Sequence, residues 1–140
     1  MDSHQVELVQ KSFSKVAPIS EQAAELFYGR LFEIEPEAKP LFKGDMKEQG
    51  KKLMGTLAFV VGGLTNLESI LPAASALAKR HVAYGVRPAH YTPVGAALLW
   101  TLEKGLGDDW TPDVAEAWTG AYTTLAGYMI AQAYGEDVPA

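Results

Sequence analysis

Cysteine is absent from the chain. No disulfide can staple this fold, no thiolate can bind a metal and no thiol can act as a nucleophile. Histidine is scarce, with only His4, His81 and His90 present, and neither an HExxH pattern nor paired carboxylates accompany them. A zinc site built from protein ligands alone is therefore not expected. Twelve Lys and Arg stand against 17 Asp and Glu, a formal charge of -5. That balance argues against a protein that tracks a phosphate backbone, so no nucleic-acid partner is expected. The longest apolar run, LAFVVGGL at 57–64, falls far short of a bilayer span, and the opening MDSHQVELVQK lacks a signal-peptide core. These absences lead to the expectation of a cytoplasmic protein with no membrane partner. Period-two alternation is also missing, which leaves no basis for a sheet.

What remains is helical. With 140 residues and 48% hydrophobic content, the chain has the size of one domain, 1–140, able to bury a core of its own. Val6, Val9, Phe13 and Val16 recur at helical steps, and Pro18 ends or bends that helix. Ser20 stands as N-cap of a second helix with Ala23, Phe27, Leu31 and Ile34 along its inner face, closed by Pro36. EPEAKPLF, 35–42, reads as a corner of one or two turns. Asp45 followed by Glu48 starts a long helix from Met46 to about Leu64, in which Gly55, Gly62 and Gly63 mark weak points or close approaches.

The next helix begins at Leu67 or Pro72, reaches His81 and stops at Gly85. Pro88 suits the first turn of another, which carries Val94, Leu98 and Leu102 and ends near Gly105 or Gly107. Thr111 and Pro112 open the last, with Val114, Trp118, Ala121, Leu125 and Met129 facing inward. The expected architecture is all-α, with six or seven helices.

The helix packing names no function, so the chemistry rests on single residues. His4 lies near a terminus and His90 reads as a surface residue. His81 differs, because Leu77 and Ala78, one turn back, make its face apolar. A lone imidazole on such a face is most often structural. It is also sufficient to hold haem, whose porphyrin supplies the remaining in-plane ligands.

Five segments decide between these readings. PLF at 40–42, QGKKLM at 49–54, LAKRHVAYGV at 77–86, HYTPVGAALL at 90–99 and AWTGAYTTLA at 117–126 resemble the globin family in order and across nearly the whole chain. The likeness is greatest to bacterial single-domain haemoglobins and the haem domains of flavohaemoglobins, with neuroglobin also similar. It implies a globin fold, a three-over-three helical sandwich around one haem b (iron protoporphyrin). His81 matches the proximal iron ligand, its Nε2 toward the metal and its Nδ1–H toward the Leu77 carbonyl. Phe42 matches the aromatic wedge on the porphyrin. Tyr28 and Gln49 resemble the distal polar pair, where a phenol O–H and an amide N–H stabilise negatively polarised dioxygen. Leu53 and Leu57 continue the Gln49 face as apolar surface. Lys52 matches a position beside a haem propionate, although KEQGKK also reads as a solvated charged face. Leu77, Val86, Val94 and Leu98 match porphyrin contacts, and Tyr91 the tyrosine beside the proximal imidazole.

The resemblance implies reversible, high-affinity dioxygen binding and reaction with nitric oxide. The alternative is a nitric oxide dioxygenase, with Tyr28 and Gln49 as its catalytic pair, or a haem-based sensor or electron-transfer protein. Two departures bear on this. Where flavohaemoglobins place a glutamate late in the last helix, this sequence has Gln132, Ala133 and Tyr134, with Glu136 and Asp137 beyond Gly135. Weaker electron donation through the histidine follows, and hence weak peroxidase-like chemistry. These 140 residues read as the globin part alone, with no flavin- or nicotinamide-binding segment among them, so turnover is expected to call for a separate reductase. With Gln49 where neuroglobin carries histidine, a bis-histidine resting state is not expected.

Overall fold

A computed structural model describes residues 3–42, 45–83 and 90–134. Among these, six α-helices carry the fold: α1 (Ser3–Val16), α2 (Ser20–Ile34), α3 (Met46–Gly62), α4 (Leu67–Ala83), α5 (Tyr91–Leu106) and α6 (Pro112–Tyr134). α2 packs chiefly on α5 and α3, and α6 on α4 and α1, an arrangement consistent with a three-over-three helical sandwich. No helix among the described residues is long and apolar enough to cross a membrane.

Helix starts follow local chemistry. Asp45 caps α3 by accepting from the Lys47 amide at 2.9 Å, so the cap closes on Lys47 and not on Glu48. Thr111 Oγ1 accepts from the Val114 amide at 3.2 Å ahead of Pro112, the arrangement expected from the Thr-Pro pair. Ser20 departs from expectation. The 3₁₀ turn Ala17–Ile19 runs straight into α2, Ser20 is already helical (φ -58°, ψ -38°), and Ile19 holds the cap position without a side-chain bond. The corner at Pro36–Leu41 is likewise 3₁₀. α4 starts at Leu67 and takes Pro72 inside it, giving up the bond that the missing N–H would have made.

The main core joins Val9, Phe13 and Val16 of α1 to Phe27 and Leu31 of α2, Leu98 and Leu102 of α5, and Val114 and Trp118 of α6. Ile34 is 37% exposed, contrary to its place in the apolar pattern, because it is the last residue of α2 and the chain turns away at Pro36. At Gly50, α3 comes close to α2. A Cβ there would lie 2.9 Å from that of Ala24, whereas one at Gly55 would meet nothing within 4 Å. Of the glycines expected to mark close approaches, Gly63 does so, since a Cβ there would clash with Ile70 Cγ2, whereas Gly55 and Gly62 have open space; Gly50 is a close approach the sequence did not single out.

A buried polar relay ties the first helix to the last. Trp118 Nε1 donates to Ser12 Oγ at 2.8 Å, and Ser12 Oγ donates back to the Leu8 carbonyl at 2.7 Å. Replacing Trp118 by Phe leaves Ser12 and removes ring volume. The expected cost is about 1 to 3 kcal/mol, read as a lower urea midpoint with an unchanged slope.

A second, smaller cluster consists of Ala74 and Ala78 of α4, Tyr91 of α5, and Ala126 and Met129 of α6. α4 packs on α6, and α3 on α2 and α1, rather than on each other. A gap between α3 and α4 follows from that division of the core.

Candidate functional site

The gap is a cavity of about 340 Å³. Its walls are mostly apolar, with Val60 from α3, Ile70, Ala74 and Leu77 from α4, and Leu125 from α6. Lys52 of α3 and Arg80 of α4 also line it, and both are exposed, which sets two cations at its mouth. Of the residues singled out in the sequence, Lys52 and Leu77 therefore meet in one cavity. Arg80 is not among the site residues expected from sequence. Its spacing of three from Leu77 places both on one helix face, and that was the signal available.

His81 follows Arg80 in the last turns of α4 and is half-buried. Its Nδ1 lies 2.7 Å from the Leu77 carbonyl. A carbonyl only accepts, so this bond puts the proton on Nδ1 and leaves the lone pair of the neutral ring at Nε2. That is the tautomer a metal-binding Nε2 requires. The Tyr91 ring lies beside it, with centroids 6.4 Å apart and planes tilted by 39°.

Tyr28 of α2, which like Phe42 and Gln49 is not among the residues lining the cavity between α3 and α4, reaches α3, where its hydroxyl donates to the Gln49 backbone carbonyl at 3.3 Å. The phenol sits among aromatic rings, edge-on to Phe42 at 5.1 Å and to Phe27 at 5.0 Å and stacked on Phe32 at 6.0 Å. Tyr28, Phe42 and Gln49 are thus neighbours, although they come from α2, the corner and α3. Burial pushes the Tyr28 phenol from 10.0 up to about 12, so it remains a proton donor at ordinary pH.

That shift has a signed consequence. The neutral phenol is favoured in the folded chain, so its contribution to stability is intact below pH 10 and is lost as pH rises towards about 12. Urea midpoints of the wild type should fall more steeply across that window than those of Tyr28→Phe. Parallel curves would contradict the buried phenol.

Leu53, Leu57 and Leu98 line a different void, of about 10 Å³, between α3 and the α1–α2–α5 core. They form the rear wall of the Gln49 face rather than the cavity between α3 and α4. Val94 packs against the main core. Val86 lies outside the described residues, as do Glu136 and Asp137, and the side chains of Gln132, Ala133 and Tyr134.

The residues present fit a porphyrin. An apolar slot would receive the ring, the cations at its mouth suit carboxylate substituents, and the imidazole of His81, next to the lining residue Arg80 and with its Nδ1 proton engaged, could ligate iron through Nε2. Among the described residues, no three His, Cys, Asp or Glu side chains gather to hold a bare metal ion.

Comparison with known proteins identifies the family and the fold. Residues 25–129 match the Globin family. A flavohemoprotein of Rhodopirellula baltica is 33% identical over 89% of this chain and 31% of its own length. One of Bacillus subtilis is 28% identical over 93% of this chain and 33% of its own. The chain spans about a third of the length of these relatives. Among solved structures, a bacterial globin from Campylobacter jejuni superposes with a TM-score of 0.82 at 26% identity, covering 94% of this chain and 96% of that one. An engineered carbene transferase, made from a putative nitric oxide dioxygenase of Rhodothermus marinus, gives 0.86 at 26% identity, covering 95% and 93%. These likenesses are bacterial, and the similarity to neuroglobin gains nothing from them.

Proposed function

Since the chain belongs to the globin family, we propose that it holds haem b between α3 and α4 with His81 Nε2 as axial nitrogen, and acts as a nitric oxide dioxygenase supplied by a reductase outside these 140 residues. The observation that carries the haem site is the His81–Leu77 hydrogen bond beside an apolar, cation-rimmed cavity. When bound, haem supplies a ferrous centre at which nitric oxide, dioxygen and one electron give nitrate.

The chain's own part is positioning and exclusion of water. Tyr28 holds its proton and can aim it at negatively polarised dioxygen, and Gln49, one helix away, offers a second donor. Phe42 and Phe32 pack around the phenol and fix its ring. Leu53 and Leu57 keep the rear of that face dry. Lys52 and Arg80 stand where propionate carboxylates would emerge.

Reversible dioxygen carriage uses the same donors and was the first expectation from sequence. The flavohemoprotein relatives and the Rhodothermus likeness favour the dioxygenase. An NO electrode separates them. With a reductase and NADH present, the reconstituted protein should consume nitric oxide continuously and accumulate nitrate in step. A single stoichiometric reaction without turnover would leave only carriage.

A further inference from the structure

Tyr122, on α6, packs against both hydrophobic clusters and so bridges the two halves of the core. Its hydroxyl donates to the backbone carbonyl of Tyr91, the first residue of α5. Its ring occupies the space over Gly95, one turn further along. A Cβ at Gly95 would come within 2.6 Å of Tyr122 Cε2, so any larger residue there displaces the ring. Burial pushes the phenol above its ordinary range, Tyr91 adds to this, and the Gly95 backbone opposes it. Tyr122 is therefore a protonated donor throughout the ordinary pH range. It engages the start of α5 at two points, the Tyr91 carbonyl and the Gly95 backbone, which stand four residues apart as an i, i+4 pair of the helix.

We propose that Tyr122 is a positioning residue of the proximal wall: its bond to the Tyr91 carbonyl and its seat on Gly95 fix the first turn of α5, and with it the angle at which Tyr91 lies against His81. The Tyr91 side chain is buried and its backbone sets where its ring projects, 6.4 Å from the imidazole. A carbonyl oxygen has two lone pairs, so it accepts from Tyr122 while serving the helix. No proton is transferred; the influence on His81 is geometric. The consequence for haem rests on His81 being the axial residue, whereas the pinning of α5 does not.

Two variants separate hydroxyl from ring. Tyr122→Phe removes the donor and keeps the ring; Gly95→Ala keeps the donor and displaces the ring. In the haem-free protein, amide hydrogen exchange at Gly95 should quicken roughly fivefold to tenfold in Tyr122→Phe, with α6 amides unchanged. In the ferrous, haem-loaded protein, both variants should shift the iron–histidine stretching band in the same direction as Tyr91→Phe. The Tyr91→Phe, Tyr122→Phe double variant should shift it no further than Tyr91→Phe alone. Should Gly95→Ala not fold, Tyr122→Phe decides the matter alone. Unchanged exchange at Gly95, or an iron–histidine band that Tyr122→Phe leaves in place while Tyr91→Phe moves it, would overturn the proposal. If the wild type takes up no haem, the axial reading of His81 fails, and the exchange measurement still decides whether Tyr122 pins α5.

Discussion

His81→Ala is expected to abolish stable haem binding, with the Soret band of the reconstituted protein falling to the level of loosely adsorbed porphyrin. The argument begins with the tautomer. The Leu77 carbonyl fixes the proton on Nδ1, which leaves the Nε2 lone pair available to a metal and holds the ring against rotation. Removing an outer partner of such a ligand typically weakens metal affinity by about 10- to 100-fold. Loss of the ligand itself should exceed that. The apolar slot and the cations remain in the variant, so weak, non-stoichiometric uptake is compatible with the account. Added imidazole should restore the band by occupying the vacated side-chain volume. A variant that binds haem as tightly as the wild type would refute the axial assignment, and the unfolding midpoint of the haem-free protein serves as control for a damaged fold.

The second large effect concerns Tyr28. Tyr28→Phe should release dioxygen about tenfold or more faster in stopped flow, because a hydrogen bond to a charge-bearing partner in a dry site is worth roughly 1.5 to 3 kcal/mol. The phenol's proton is secure at neutral pH, since burial holds it up to about 12. In the structure that proton is directed at the Gln49 carbonyl, 3.3 Å away. This bond is long and readily exchanged for a better acceptor. Phe keeps the contacts to Phe27, Phe32 and Phe42, so packing should change little and the rate should report the hydroxyl. An unchanged off-rate would mean that Tyr28 serves α3 and not the ligand.

How far these features can be read from the chain depends on how local they are. The His81–Leu77 bond follows from a four-residue helical spacing, and the Thr111–Pro112 start from capping chemistry. Both lie within one turn of sequence. Ser20 misled because a cap residue must itself be non-helical, and behind the 3₁₀ turn Ser20 is already helical, which moves the cap position to Ile19. The meeting of Tyr28, Phe42 and Gln49 is a tertiary event among two helices and a corner, and only the resemblance to globins brought them together beforehand. Gly95 and Tyr122 lie 27 positions apart in the sequence, and no periodicity links them. Their relation is one of shape, a ring entering where a Cβ is missing, and it becomes visible only when α5 and α6 are packed. Arg80 lies between these cases, one residue from the histidine that held attention and on the same face as Leu77.

Titration of the haem-free protein with hemin, followed at the Soret maximum, tests the central claim most directly. The predicted result is a sharp break at one equivalent in the wild type and no break in His81→Ala. A featureless rise in the wild type, or the same one-equivalent break in both proteins, would contradict it.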